Sequence, residues 1–406
     1  MKTIISKHFS SLNIKRTSDI REENISAVIY TILTHTNISR KQIVEITGLA
    51  PSTVSGITDL LFDNAFIRRI GNLSSNYAGR RSEILSRNPN AAYVATVYLT
   101  PERCQIGIVN LAYQFIEKEY IDFENGFKET ETEKIIERVN RLIRGKSYGS
   151  KVLAIGLALP HHPFDNDFIM AEFKKAFSQE LQEVVKINNI EAMAMFEYYE
   201  KLSLRLHSLI YVYIGSGIGS GIIINGSLYK GVRGDASDLG HMYITDKPLV
   251  CRCGRKGCLE TVASEIALSK AFVEHFGLKK PLSRNKLMDF ISDGIKKNDN
   301  FIISKLNEAA FYLSRAFFNL VTILDPQEIV ITGRINRLNP YFSNMVEKEY
   351  LEHSKQSHSN LVPLNFLPLH EDAGLKGIAM YSYISLYCNS TQRGLIWNNK
   401  KQFHRR

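Results

Sequence analysis

IGSGIGSGIIINGSLYKGVRGDASDLGHMYI, residues Ile214–Ile244, and CRCGRKGCLETVAS, residues Cys251–Ser264, are the two stretches of this chain that decide its fold. The first places a glycine-rich loop between two β-branched runs, which is typical of a tight strand-to-strand turn. The second holds three of the five cysteines of the chain, and His241 precedes it. Together the two stretches indicate the fold far more specifically than a glycine-rich loop alone would.

The cysteine-rich segment has the residue types and the spacing of a metal site. Nine residues separate the histidine from the first cysteine, one separates the first two cysteines, and four separate the last two. One imidazole and three thiolates match a closed tetrahedral zinc site, which leaves no open position for catalysis. A redox centre would need Cys-x-x-Cys where this chain has Cys-x-Cys, and buried thiols without a ligand are the other alternative. The spacing favours a structural Zn²⁺ ion held by His241, Cys251, Cys253 and Cys258.

Short β-branched runs alternate with helical stretches on both sides of these segments. The strand-like runs include AAYVATVYL, KVLAIGLAL, SLIYVYIG and EIVIT, and the helical stretches include ETEKIIERVNRLIRG and KLNEAAFYLSRAFFNLVTIL. Such alternation is typical of an α/β protein with mainly buried sheets. We therefore predict an α/β body beyond residue 89.

Composition and charge narrow the class of protein. The 406 residues are enough for two or three domains, and 44% hydrophobic with 23% charged residues is typical of a soluble globular protein. No run approaches 18 apolar residues and the first residues are too polar for a secretory signal, so we expect a cytoplasmic protein without membrane insertion. Residues 1–90 hold 12 Lys and Arg against 7 Asp and Glu, and residues 391–406 hold 5 against none. Both ends are therefore suited to a polyanion, although we expect the basic tail to be disordered.

The N-terminal segment has the pattern of a helix-turn-helix. Apolar residues from Ile25 to Leu33 recur with helical periodicity. Ser39 with Gln42 predicts a capping box at the start of a second helix, and Gly48 predicts its end. A third helix restarts near Pro51 and buries Val54, Ile57 and Leu61.

The third helix and the segment after it carry residues suited to DNA. FIRRIGNLSSNYAGRRSEIL has two apolar runs around a polar loop, as in the hairpin wing of a winged helix. Small side chains at the start of the third helix can approach phosphates in the major groove, and arginines on the wing can follow the backbone or the minor groove. A small dimerisation domain with a solvated basic face is the alternative. The predicted DNA-contacting residues are Ser52, Thr53, Ser55, Gly56, Arg68, Arg69, Arg80 and Arg81.

The paired glycine-rich and cysteine-rich segments resemble the ROK family of bacterial sugar kinases and sugar-responsive repressors. The repressor branch carries an N-terminal winged helix, so the resemblance covers nearly the whole chain. It implies two actin-like (ribonuclease H-like) α/β subdomains around a cleft, with zinc bound by the four residues named above. The predicted division is 1–88 as a winged helix-turn-helix DNA-binding domain, 89–195 as subdomain 1 completed by about 375–390, 196–374 as subdomain 2 with the zinc site, and 391–406 as the basic tail.

The same resemblance implies that kinase activity is lost. A ROK kinase needs an Asp-x-Gly-Gly-Thr phosphate loop, and here Tyr98 takes the aspartate position while Thr100–Glu102 replaces Gly-Gly-Thr. The catalytic aspartate of an Asn-Asp-x-Asn motif is replaced by Asn189, and an amide cannot accept a proton at neutral pH. The second, glycine-rich phosphate loop, Gly215–Gly219, remains. The alternative is a divergent kinase that phosphorylates a hexose with ATP by using another carboxylate.

The resemblance also implies a weakened sugar pocket. Family members hold sugar hydroxyls through the Asn-Asp pair, a Glu-x-Gly-His motif and a glutamate after the cysteines. We expect a sugar or sugar-phosphate effector, with a protein-gated or unliganded regulator and an unrelated small molecule as alternatives. The matching ligand-binding residues are Asn188, Asn189, Asp238, His241 and Glu260.

These observations together predict a transcriptional regulator. We expect a repressor of sugar uptake or metabolism genes that binds a double-stranded DNA operator as a homodimer or tetramer, gated by a sugar, a sugar phosphate or a protein partner. The competing classes are the divergent kinase and a structural dimerisation protein.

Overall fold

The computed structural model describes residues 17–72, 83–124, 126–161, 164–178, 183–201, 206–234, 236–354 and 361–388. The chain divides into two compact units. The first comprises Met1–Tyr93, Asn110–Gln114 and Ser382–Arg406, and the second comprises Val94–Val109 and Phe115–Tyr381. In the described part of the chain, no helix has both the length and the apolar character needed to cross a membrane.

Within its described residues, the first unit combines three N-terminal helices, the end of a further helix from Ser382 to Cys388, and a small antiparallel sheet. Its strands pair in the order β1-β3-β2. The elements are α1 (Thr17–Thr34), β1 (Ile38–Ser39), α2 (Arg40–Thr47), α3 (Pro51–Asp63), β2 (Ile67–Asn72) and β3 (Glu83–Arg87). We call β2, β3 and the residues between them the wing.

The start and end of α2 confirm the local sequence signals. The side chain of Ser39 accepts from the amide of Gln42, whose side chain accepts in return from the amide of Ser39. Gly48 ends the helix with a φ of 68°, a left-handed conformation that glycine adopts without a steric penalty. In α3, Pro51 occupies the first turn. The predicted core residues of α3 are all buried, namely Val54, Ile57 and Leu61.

Two further segments of the first unit hold its core together. The guanidinium of Arg87 donates to the carbonyl oxygen of Leu33 at the end of α1 and lies 4.4 Å from the ring centroid of Tyr113. The Tyr113 hydroxyl donates to the same carbonyl oxygen at 3.0 Å. Tyr387 packs edge-on against Phe66 with ring centroids 4.9 Å apart. These contacts cap the end of α1. They also provide a hydrogen-bond acceptor for Arg87, whose pKa is lowered by burial.

The second unit contains two five-stranded sheets, which confirms the predicted α/β body. The first sheet has the order β6-β5-β4-β7-β8, with β5 and β6 antiparallel and β7 and β8 parallel. Its elements are β4 (Tyr93–Leu99), β5 (Arg103–Asn110), β6 (Phe115–Asp122), α4 (Thr132–Ile143), β7 (Val152–Leu159), α5 (Asn166–Phe177), β8 (Glu183–Asn188) and α6 (Asn189–Glu200).

The second sheet has the order β11-β10-β9-β12-β13, with β12 parallel to both β9 and β13. A core of buried aliphatic and aromatic side chains lies between this sheet and the helices that follow β11. The elements are β9 (Leu209–Ile214), β10 (Ile218–Ile224), β11 (Ser227–Leu228), α7 (Glu260–Ala263), α8 (Glu265–Phe276), α9 (Arg284–Lys296), α10 (Asn300–Leu324), β12 (Glu328–Thr332), α11 (Tyr341–Ser354), β13 (Leu364–Phe366) and α12 (Ala373–Cys388).

Close backbone approach brings α6 against β10. A Cβ atom on Gly221 would lie 2.5 Å from the Cβ of Ala194, and one on Gly219 would lie 2.9 Å from the side chain of Ile190. Glycine at these two positions therefore permits the first turns of α6 to pack directly on the strand. This packing places the start of α6 beside the strand that follows the glycine-rich loop.

Candidate functional site

A short loop gathers the four predicted metal ligands. His241 ends a 3₁₀ turn, Leu239–His241, and the three cysteines follow in a compact knuckle. Isolated bridges join Tyr243 to Cys258 and Val250 to Lys256, so the two ends of the knuckle meet. A Cβ atom on Gly257, which has a φ of 77°, would lie 2.4 Å from the carbonyl oxygen of Thr245. Only glycine fits the backbone there.

The distances between the ligand atoms fit a tetrahedral metal site. The four ligand atoms lie within 4.8 Å of one another. The Sγ atoms of Cys253 and Cys258 are 3.7 Å apart, and Cys251 Sγ is 3.4 Å from His241 Nδ1. With Zn–S bonds of ~2.3 Å and a Zn–N bond of ~2.0 Å, tetrahedral geometry gives about 3.8 Å between two sulfurs and about 3.5 Å between sulfur and nitrogen. The residues present therefore fit a zinc ion, and the sulfurs are too far apart for a disulfide.

The thiols of the knuckle differ in acidity. Burial raises the pKa of the Cys253 thiol, but hydrogen bonds from Arg255 and from the other thiols outweigh burial and lower this pKa to about 7. Burial raises the pKa of Cys251 and Cys258. A metal ion would supply the positive charge that keeps all three sulfurs deprotonated.

Glu260 connects the knuckle to the predicted sugar site. Its carboxylate is buried, with the residue 7% exposed, and it forms an ion pair with Arg252 at 3.0 Å. It also accepts a hydrogen bond from the Cys251 thiol at 3.2 Å. One side chain thus contacts both a predicted metal ligand and a guanidinium that is half in solvent.

The Asn188–Asn189 pair lies at the start of α6. Asn188 is the N-cap, and its side chain accepts from the amides of Ile190 and Glu191. Asn189 is buried. Glu191 completes a capping box by accepting from the amide of Asn188. Its other oxygen, Oε1, has no hydrogen-bond partner within the described ranges, and burial raises the pKa of this carboxyl group.

Strand β10 brings these groups to one region. A Cβ atom on Gly217 would lie 2.9 Å from Glu260 Oε2, and one on Gly240 would lie 2.2 Å from the carbonyl oxygen of Ile218 and 3.4 Å from Glu260 Oε2. The start of α6 packs on the same strand through Gly219. Asn188, Asn189, His241 and Glu260 therefore flank β10, whereas Asp238 is exposed at the start of the 3₁₀ turn.

The two expected phosphate loops differ in structure. At the first, the Tyr98 hydroxyl donates to Met193 Sδ at 3.2 Å, and a Cβ on Gly374 would lie 2.1 Å from the tyrosine ring. An aromatic side chain thus packs at the position where the sequence analysis predicts that a carboxylate has been lost. At the second, the amide of Gly215 donates to the carbonyl oxygen of Gly217 and is not available to a phosphate. Ser216 lines a cavity of about 330 Å³ beside α8 that includes the carboxylate of Glu265, which is paired with Arg334.

The predicted DNA-contacting residues fall into three groups. On α3, Ser52 and Gly56 are exposed, and Thr53 and Ser55 are partly buried. On the wing, Arg68 is exposed and has no ion-pair partner among the described residues. Arg69 instead forms an ion pair with Glu83 at 2.6 Å. Arg80, Arg81 and the tail 391–406 lie outside the described residues.

Three residues of these sites were not found by the sequence reasoning. Glu191 is three residues after an asparagine N-cap, so the capping-box pattern would have found it. Arg252 lies between two cysteines and Glu83 at the end of the wing loop, and no sequence pattern links either to its partner. Arg252 and Glu83 acquire their roles from contacts that only the folded chain forms, with Glu260 in the first case and with Arg69 in the second.

Known proteins resemble this chain over most of its length. A sequence model described as the ROK family matches residues 103–382. The chain is 28% identical over 345 residues to the xylose repressor of Bacillus subtilis (strain 168), covering 81% of this chain and 87% of the repressor. It is 24% identical over 347 residues to the DNA-binding transcriptional dual regulator NagC of Escherichia coli (strain K12), covering 81% and 84% of the two chains.

A solved structure extends the likeness to the first unit. The crystal structure of a ROK family transcriptional regulator, a homologue of the E. coli MLC protein, matches with a TM-score of 0.67 at 22% identity. The match covers 91% of this chain and 98% of that chain, and at this identity it shows a shared fold. With the knuckle, the two sheets and a family model that spans more than half of its residues, this chain belongs to the ROK family.

Proposed function

We propose that this protein is a transcriptional repressor that binds an operator in double-stranded DNA through its N-terminal helix-turn-helix and wing. The observation that carries the proposal is the exposed start of α3, where Ser52 and Gly56 lie beside the half-buried Ser55. A helix N-terminus with small side chains can approach the major groove closely and donate to phosphates. Similar proteins support this proposal, because they include a xylose repressor and the DNA-binding transcriptional regulator NagC.

The proposed domain division follows the sequence boundaries. Residues 1–88 would form the winged helix-turn-helix, 89–195 the first actin-like subdomain with a C-terminal completion near 375–390, and 196–374 the second subdomain. A repressor of this kind reads two half-sites, so we propose a homodimer or a tetramer with two-fold symmetry. The basic tail 391–406 is a further candidate for contact with phosphates.

We propose that the knuckle holds one structural Zn²⁺ ion per chain. The support is the Cys₃His donor set and its separations of 3.4 and 3.7 Å. The metal would fix the segment that carries His241 and leads to Glu260. Metal analysis of the purified protein should find about one zinc per chain, and Cys253→Ser should lose it, whereas Cys388→Ser, outside the knuckle, should keep it.

The proposed effector is a sugar or a sugar phosphate that binds at β10. Asn188, Asn189, His241 and Glu260 offer amide, imidazole and carboxylate groups that hydrogen-bond hydroxyls, and Asp238 lies nearby in the chain. D-xylose and N-acetylglucosamine are the first probes, because similar proteins are named xylose repressor and N-acetylglucosamine repressor. If none of them changes operator binding, a protein partner becomes the proposed gate.

Catalysis is not part of the proposed function. Asn189 lacks the basicity of an aspartate, Tyr98 fills the first phosphate loop, and Pro101 there has no N–H to donate. Glu191 favours the alternative of a divergent kinase, since it is a buried carboxylate two residues after Asn189. The pairing of Glu191 with the backbone of Asn188 gives this carboxylate a structural role instead.

The decisive experiment maps the bound DNA across the genome and measures binding to the mapped sites by fluorescence anisotropy over a range of salt concentrations. We expect discrete sites near sugar-uptake or sugar-metabolism genes and an affinity that falls steeply with salt. Ser52→Glu places a carboxylate at the proposed phosphate contact and should abolish binding. A wild-type protein without discrete sites and without salt-dependent binding would contradict the proposal.

A further inference from the structure

Two arginines of the first unit converge on one carboxylate, that of Glu83 at the end of the wing loop. Arg69 on β2 places Nε 2.6 Å from Glu83 Oε1. Arg40, the first residue of α2, places a terminal nitrogen 3.5 Å from Glu83 Oε2. The side chain of Glu83 is only 28% exposed, so it is held more tightly than a typical surface carboxylate.

The same arginines are anchored to α3. Arg40 donates to the buried hydroxyl of Thr58 at 2.8 Å and to Asp59 at 2.6 Å. The guanidinium of Arg69 lies 4.8 Å from the ring centroid of Phe62, and that of Arg40 lies 5.8 Å from it. The aromatic face and the carboxylates thus fix both guanidinium groups between α2, α3 and the wing.

The cluster has no net charge, because two arginines face Asp59 and Glu83. Two of the cations that give the N-terminal segment its positive balance are therefore already neutralised within the protein. A carboxylate and a phosphate are both oxyanions that accept hydrogen bonds from a guanidinium. A carboxylate held against an arginine therefore occupies the position in which a DNA phosphate would bind. Arg68, the neighbour of Arg69, has no such partner among the residues that the structure describes.

We propose that Glu83 is an internal competitor of DNA phosphate for Arg69, and that it lowers the affinity of the repressor for DNA of any sequence. This inference rests on the proposed DNA-binding function. The contact between Arg69 and Glu83 must break before a phosphate can bind this guanidinium. The cost of breaking it is the same on operator and non-operator DNA, so Glu83 weakens the electrostatic part of binding to both.

The test compares Glu83→Gln with Glu45→Gln. Both substitutions remove one negative charge from the first unit, but Glu45 lies on α2 and, among the residues that the structure describes, forms an ion pair only with Lys41, at 3.9 Å. Glu83→Gln should bind a non-operator duplex about tenfold more tightly at ~50 mM salt, with a salt dependence steeper by about one phosphate contact. Operator affinity should rise as well, because the contact between Arg69 and Glu83 no longer has to be broken. Glu45→Gln should change neither quantity by more than about twofold.

Arg69→Ala in the Glu83→Gln background identifies the cation that is released. The double variant should lose the gain, because no guanidinium remains to bind the additional phosphate. Retention on heparin, a polyanion that needs no operator, gives a second readout, and Glu83→Gln should elute at higher salt than the wild type. Circular dichroism of each variant checks that the first unit remains folded.

The outcomes separate the two proposals. Equal or weaker non-operator binding and unchanged heparin retention in Glu83→Gln, with a wild type that binds its operator, would overturn the role of Glu83 alone. An equal gain in Glu45→Gln would also overturn it, because the effect would then come from net charge. A wild type that binds no operator would overturn the proposed function, while heparin retention would still decide whether Glu83 restrains Arg69.

Discussion

The guanidinium Nε of Arg252 lies 3.0 Å from Glu260 Oε1, and the same carboxylate oxygen lies 3.2 Å from Cys251 Sγ. A metal-bound thiolate and a carboxylate at this distance would repel each other. The arginine supplies the positive charge that makes the arrangement stable. A residue between two metal ligands thereby connects the knuckle to the proposed sugar site.

Arg252→Ala should weaken zinc binding about tenfold, because groups that surround metal ligands commonly contribute 10- to 100-fold to affinity. Competition with a chromophoric chelator measures the effect. Lys256→Ala is the matched control, since Lys256 is an exposed cation in the same knuckle. Equal zinc affinity in the two variants would show that the Arg252–Glu260 pair does not support the site.

Arg68→Ala should reduce the salt dependence of operator binding by about one phosphate contact and weaken binding to all DNA sequences to a similar extent. The physical reason is that Arg68 is exposed on β2 and has no ion-pair partner in the described part of the wing. Anisotropy titrations at several salt concentrations measure the slope. Lys296→Ala, an exposed cation on α9, should leave the slope unchanged, and an unchanged slope in Arg68→Ala would remove this residue from the DNA interface.

Asn189→Asp should not restore ATP-dependent phosphorylation of a hexose. The aspartate would supply a base worth roughly 100- to 10,000-fold in rate, but the Tyr98 side chain and Pro101 would still replace the first phosphate loop. A coupled ATPase measurement with a panel of hexoses tests both the wild type and the variant. Turnover in the wild type would establish the kinase alternative, and turnover only in the variant would show that Asn189 alone had removed the activity.

Glu191→Gln should stabilise the protein more at pH 8 than at pH 4. Burial raises the folded-state pKa of Glu191 above its unfolded value. Ionisation of Glu191 is therefore less favourable in the folded protein than in the unfolded one. The free energy of unfolding of the wild type is highest below the unfolded-state pKa and falls as the pH rises through the folded-state pKa. Glutamine keeps an oxygen for the amide of Asn188 and carries no charge, so we expect a gain of about 1 kcal/mol in the free energy of unfolding at pH 8.

Urea unfolding at the two pH values measures this difference. Glu274→Gln on α8 is the control, because its side chain is 67% exposed. A gain of equal size at both pH values would assign the effect to packing rather than to the ionisation of Glu191.

Local signals in the sequence predicted the parts of the structure that depend on near neighbours. The capping box of Ser39 and Gln42, the end of α2 at Gly48 and the buried face of α3 were all confirmed. Each depends on contacts within about four residues, where spacing along a helix fixes spacing in space. The domain boundaries and the roles of the DNA-contacting and sugar-binding residues remain predictions.

The contacts of Arg69 could not be predicted in this way. Its position in the wing indicated a free cation, but Glu83 lies 14 positions further along the chain and meets it only because β2 pairs with β3. The close packing of α6 on β10 is likewise invisible in the sequence, since it depends on the absence of side chains at Gly219 and Gly221. These relationships join segments whose separation along the chain carries no information about distance.

By itself, the sequence determined the family, the α/β body and the set of four candidate metal ligands, because residue type and short spacing are sufficient for each. Only the tertiary structure decided which charges are available. It paired Arg69 with Glu83 and Arg252 with Glu260, and it left Arg68 exposed. Electrostatic interactions depend on distance and burial in the folded chain, and net charge counted along the sequence contains neither.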